Sequence, residues 1–127
     1  MAINKQLIFV YNAKSGQKNT FLDSLKKFIN PSEYECNLCA LTHGLVSEKT
    51  KWKKFRKQSG IAMEFFHADE YERQFKSKFG QQYTYPIILI QDHYHLDIFM
   101  NAKQINEIKN LDAFILAIEK RWQNSPP

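Results

Sequence analysis

The chain has 127 residues, of which 43% are hydrophobic and 14% aromatic, with a formal net charge of +5. That length buries a core as one domain without disulfide staples, and that apolar share excludes a disordered chain. No apolar run nears the roughly 20 residues that span a bilayer, and the run from Leu7 to Tyr11 lacks a signal-peptide cleavage pattern. The expectation is a soluble, cytoplasmic protein with no membrane partner.

Gln6 to Tyr11 is nearly continuous apolar and rich in β formers, which predicts a buried central strand. Turn formers from Asn12 to Gly16 break it. Thr20 and Asp23 then suggest a capped helix carrying Phe21, Leu22, Leu25, Phe28 and Ile29 at helical spacing, stopped at Asn30-Pro31. Residues 32–60 read as a helical insertion between this first helix and the second strand. Within it Ser47 is the expected N-cap of a basic helix, 47–57, whose apolar contacts are Trp52 and Phe55. Lys49, Lys51, Lys53, Lys54, Arg56 and Lys57 supply much of the positive charge. Such a helix can track phosphates, but the sequence has no RNA-binding aromatic signature and no helix-turn-helix pattern. A solvated face is therefore the expectation, and nucleic acid is not the expected partner.

Ile61 to His67 reads as the second strand. Asp69 is the expected cap of a helix with Tyr71, Phe75 and Phe79 on one face, closed by Gly80. Tyr85 to Ile90 reads as a third strand opened by Pro86, and His95 to Met100 pairs back as a hairpin across Asp92-His93-Tyr94. A loop with a helical turn (101–110) leads to a final helix with Leu111, Phe114, Ile115, Ile118 and Trp122 as its stripe, then a tail at 123–127.

The reactive side chains concentrate in Cys36-Asn37-Leu38-Cys39-Ala40-Leu41-Thr42-His43-Gly44, which holds both cysteines. Three readings compete. In the first, Cys36 is an attacking thiolate and Cys39 the resolving thiol of a redox pair acting on a thiol or disulfide protein. In the second, Cys36, Cys39 and His43 lie along one helix face and, with His67, hold zinc or copper. In the third, both sulfurs are small buried hydrophobes in a non-catalytic binding module. His67, close to Asp69 and Glu70, is either an acid–base group or a polar exit from the core. His93 and His95 read as surface residues, and Ser15 as a turn hydroxyl.

With the insertion set aside, the element order resembles the thioredoxin fold, an α/β four-stranded mixed sheet flanked by helices. The resemblance implies a cis Tyr85-Pro86 bond facing an active edge, with Tyr85, Pro86 and Ser15 as substrate-binding residues. It is closest to small bacterial thiol-disulfide oxidoreductases whose first strand ends in Tyr-Asp-Gly-x-Cys-x-x-Cys. Here Tyr11-Asn12-Ala13-Lys14-Ser15-Gly16-Gln17-Lys18 puts Ser15 and Lys18 where that family has its cysteines. The chain also resembles a group of short bacterial proteins sharing Tyr-Asn-Ala-x-Ser-Gly and Cys-x-Leu-Cys-x-Leu-Thr-x-Gly. Some of them carry a GTPase label, yet Ala13-Lys14-Ser15-Gly16 lacks the phosphate-cradling glycines and the Gly-Lys-Ser/Thr ending. In this layout the insertion either climbs to the active edge, bringing Cys36 to His43 near His67 and Pro86, or lies across a sheet face with the sulfurs remote.

Overall fold

The computed structural model describes residues 5–12, 36–44, 47–79, 83–92 and 95–125. Four strands form a mixed sheet in the order β2-β1-β3-β4. β1 (Lys5–Tyr11) is central, and Leu7 to Val10 have no exposed surface, as their unbroken apolar run predicts. β2 (Met63–His67) runs parallel to β1, with Phe9 opposite Phe65 and Tyr11 opposite His67. β3 (Ile87–Asp92) and β4 (His95–Met100) form the expected hairpin, and β3 lies antiparallel to β1 with Val10 opposite Ile87.

A parallel pair needs a crossover. Within it the described residues form α1 (Asn37–Thr42) and α2 (Thr50–Gln58). α3 (Ala68–Phe79) joins β2 to β3. α4 (Ala102–Asn106) is the helical turn expected after β4, held by a capping box between Asn101 and Gln104, and α5 (Leu111–Gln123) closes the chain.

Side-chain alternation splits the core into two layers. Leu7, Phe9, Tyr11 and Ile88 pack on one face with the cysteines, Trp52, Ile105, Phe114 and Ile118. Ile8, Val10, Ile87 and Leu89 face the other way, onto Tyr71 and Phe75 of α3. The stretch read as an insertion is thus part of the main core. Trp52 shows why: its ring stacks on Phe114 at 5.4 Å and meets Phe9 edge-on at 5.7 Å, joining α2 and α5 to β1.

Two expected caps move. The N-cap of α2 is Lys49, with no side-chain hydrogen bond, rather than Ser47. Ser47 is used in a turn, where Gly44 N–H donates to its carbonyl at 2.8 Å and Lys49 N–H donates to Thr42 O at 2.8 Å. α3 begins at Ala68, so Asp69 lies inside its first turn rather than ahead of it, and Glu70 holds the start. Glu70 Oε1 accepts from His67 N–H at 2.9 Å, the reciprocal half of a capping box. Gly60, at φ 77°, ends α2 in the left-handed geometry that glycine tolerates. The expected helix at 20–29, the first-loop residues Lys14, Ser15 and Lys18, and Gly80 and His93 lie outside the described residues. Among the described residues no helix is long and apolar enough to cross a membrane.

Candidate functional site

α1 is six residues long, too short to be stable alone. Its first turn is held by side chains. Asn37 Nδ2 donates to the carbonyls of Ile105 (2.8 Å) and Ile108 (3.0 Å), tying α1 to α4 and the segment after it. Cys36 is the N-cap, its Sγ accepting from Cys39 N–H at 3.3 Å, and the two cysteines form a disulfide with Cα atoms 5.3 Å apart. Cys36 is 2% exposed and Cys39 not at all.

The last turn of α1 runs into a second cluster. His43 N–H donates to Cys39 O at 2.9 Å, so the sulfur-bearing turn directly anchors the histidine. Thr42 Oγ1 donates its single proton to Leu38 O at 2.9 Å. It therefore acts as acceptor for Tyr11 Oη (3.4 Å) and for His43 Nδ1 (2.7 Å). This accounting puts the proton of neutral His43 on Nδ1 and the lone pair on Nε2. Burial lowers the His43 pKa below its ordinary 6.5, with Glu48 opposing that shift and Arg56 and Lys49 reinforcing it. Burial also pushes the Tyr11 phenol well above its usual range.

A β-bridge between His43 and Glu48 brings that carboxylate alongside. Glu48 takes a two-point ion pair from Arg56, Nε at 2.6 Å and Nη2 at 2.8 Å, which holds its pKa below the usual range. Arg56 also lies over the Phe65 ring, 5.8 Å from its centroid. Across the cleft, His67 ends β2. Its Nδ1 and its backbone N–H each sit 2.9 Å from Glu70 Oε1. Because a carboxylate only accepts, His67 Nδ1 is also protonated. Those hydrogen bonds lower the Glu70 pKa, the backbone one most. His43, His67 and Tyr11, with the Glu48–Arg56 pair, Glu70, Phe65 and Phe66, line a cleft of about 320 Å³.

The structure therefore brings His43 and His67 into one cleft at the end of β1 and β2, with the disulfide at the other end of α1. Zinc or copper would require both sulfurs as thiolates, which the disulfide ties up. Among the described residues no group of three or more His, Cys, Asp or Glu is gathered for a metal. Tyr85 and Pro86 are joined by a cis peptide, with Pro86 buried at the head of β3. The Tyr85 ring belongs to the α3 layer, where its hydroxyl donates to Glu72 Oε2 at 3.0 Å. It lies on the opposite sheet face from the sulfurs. Ser15 is outside the described residues, and His95 is exposed, as expected.

Sequence reasoning missed the Glu48–Arg56 pair and the Thr42 hub, whereas the approach of His43 to His67 is one of the two placements it offered. Tyr11, a polar-tipped residue closing an apolar strand, was a further signal pointing there. No protein-family model, curated protein or solved structure matches the chain.

Proposed function

We propose that the chain is a thioredoxin-like protein whose Cys36–Cys39 pair undergoes reversible thiol–disulfide exchange with a protein partner. The observation that carries this reading is the disulfide at the start of α1, with Cys36 Sγ accepting from Cys39 N–H at 3.3 Å. A peptide N–H aimed at a sulfur favours its thiolate. The strand order, parallel between β1 and β2 and antiparallel elsewhere, supports the scaffold. Chain entropy points the same way. A bridge between residues three positions apart restrains the unfolded chain little, about 2 kcal/mol against about 3 for a fifteen-residue loop. Stapling is thus a weak reason for the pair.

In the reducing direction, Cys36 thiolate attacks one sulfur of a partner disulfide. A mixed disulfide forms and the other partner sulfur leaves as a thiolate, taking a proton from solvent. Cys39 thiolate then attacks Cys36 Sγ, closing the intramolecular disulfide and releasing the second partner thiol. Two electrons pass to the partner, and a small-molecule thiol or a dithiol protein restores the reduced pair.

The rival reading, a binding module with a buried staple, draws on the near-complete cover over both sulfurs. Equilibration of the native protein in mixtures of oxidised and reduced dithiothreitol, read by thiol labelling, is expected to give one reversible two-electron transition. Reduction of insulin by dithiothreitol is expected to run faster with the wild type than with Cys36→Ser. A disulfide that opens only after denaturant unfolds the chain would overturn the redox reading and leave the staple.

A further inference from the structure

α2 carries more charge than its place over the core requires. We propose that its exposed lysines, Lys53, Lys54 and Lys57, bind the phosphate backbone of a nucleic-acid duplex without reading its sequence. The face uses neither the disulfide nor the cleft, so it stands apart from the redox reading.

Three observations carry it. First, the face has one sign. The run from Lys49 to Gly60 holds basic residues and no acid. Lys51 pairs with Asp112 and Arg56 with Glu48. Lys53, Lys54 and Lys57 stay exposed, with no ion pair among the described residues. Residues 13–35 carry more lysine than acid, so they hold no negative surplus to set against the face. Second, helix stability gives no reason for these charges. Lys53 and Lys57 stand about 6 Å apart along the axis, a like-charge spacing that opposes the helix. Lys49 and Lys51 add positive charge where the helix dipole disfavours it, and no acid stands in the first turn. A face meant only for solvent interleaves both signs, whereas phosphates laid along α2 would offset each repulsion. Third, the helix is fixed. Trp52 is fully buried, stacked on Phe114 and edge-on to Phe9, so binding orders lysine side chains on a backbone already in place.

The make-up of the face selects the anion. Along α2 the exposed residues are Thr50, Lys51, Lys53, Lys54, Lys57 and Gln58, while Phe55 is half-buried against the core. A helix that lies on a membrane turns apolar residues outward, and a protein interface has an apolar or aromatic centre. A single strand is gripped by rings on which its bases stack. α2 exposes none of these. A duplex hides its bases and presents phosphates, one charge per about 1.7 Å of axis, which lysine meets with no further recognition group.

The test is fluorescence anisotropy of a short labelled duplex DNA titrated with the purified full chain. Three phosphate contacts give a slope of log K against log salt of about −2.7, so affinity is expected to fall about 40-fold between about 50 and 200 mM salt. Two scrambled duplex sequences should bind alike. The triple variant Lys53→Gln, Lys54→Gln, Lys57→Gln is expected to lose most of the binding and of the slope. A control variant, Lys103→Gln, Lys109→Gln, Lys120→Gln, removes the same charge from exposed positions elsewhere and should bind as the wild type does. Should the α2 triple variant melt early, Lys57→Gln alone decides, with an expected drop in slope of about 0.9. No binding at about 50 mM salt by protein up to about 100 µM would overturn the proposal. So would equal losses in the two triple variants, tighter binding to the matching single strand, or binding that depends on α2 only with polyglutamate or anionic vesicles.

Discussion

Trp52 sits among Phe9, Phe55 and Phe114, and its Nε1–H meets no hydrogen-bond acceptor among the described residues. Two terms therefore oppose each other at one side chain. Removing the ring forfeits packing worth about 3–5 kcal/mol, while removing only the buried donor relieves about 1–3 kcal/mol. Trp52→Ala is expected to lose the full packing term in urea unfolding followed by circular dichroism. Trp52→Phe keeps a ring and discards the donor, so its net change should stay within about 1 kcal/mol. A Trp52→Phe loss as large as that of Trp52→Ala would mean that indole volume, not the ring stack, sets the value.

His43 gives the molecule an acid-sensitive residue with a definite sign. Its folded pKa lies below the ordinary 6.5. Between those two values the unfolded chain binds more protons than the folded one, so stability falls as pH drops from 6.5 toward the folded value. Glu48 acts in the same direction at lower pH. Its depressed pKa contributes stability above the unfolded value of 4.5 that is lost as pH falls through the folded one. Melting temperature measured from about pH 7 to about pH 5 should therefore fall less steeply in His43→Asn than in the wild type. The amide replaces the Nδ1 donor to Thr42 but does not titrate. Equal slopes would show that His43 is not the source.

At the scale of elements, α1 depends on its attachments. Six residues cannot repay helix nucleation, so the Asn37 bonds to Ile105 and Ile108 carry its first turn. Asn37→Ala leaves two carbonyls without their donor, at a cost of about 1–3 kcal/mol. The loss falls on the turn that bears Cys36. The variant is expected to release its thiols to dithiothreitol faster than the wild type at equal denaturant-free conditions. An unchanged rate would mean that the sulfurs are opened by motion elsewhere.

Over the whole molecule, what burial and periodicity encode was legible, and what tertiary register encodes was not. The unbroken run from Leu7 to Val10 announced a central strand, and the stripe from Leu111 to Trp122 announced the closing helix. Proline at 86 and the turn near residue 93 marked the hairpin. The sequence offered the His43–His67 meeting only as one of two placements, because choosing it needs Tyr11 in register with His67 and the backbone bonds Gly44 N–H to Ser47 O and Lys49 N–H to Thr42 O. Backbone bonds leave little trace in residue type. The same reason defeats the Ser47 cap, since a serine suits either role and only the fold decides which one it takes.

The bond from His43 N–H to Cys39 O makes α1 a rod with a disulfide at one tip and an imidazole at the other. Wyman linkage then applies to the rod as a unit. Any change in the affinity of that imidazole for a proton when the sulfurs are reduced must return, in equal measure, as a dependence of the sulfurs' midpoint potential on acidity. Acidity would then act on the poise of the disulfide through an imidazole one helical turn away.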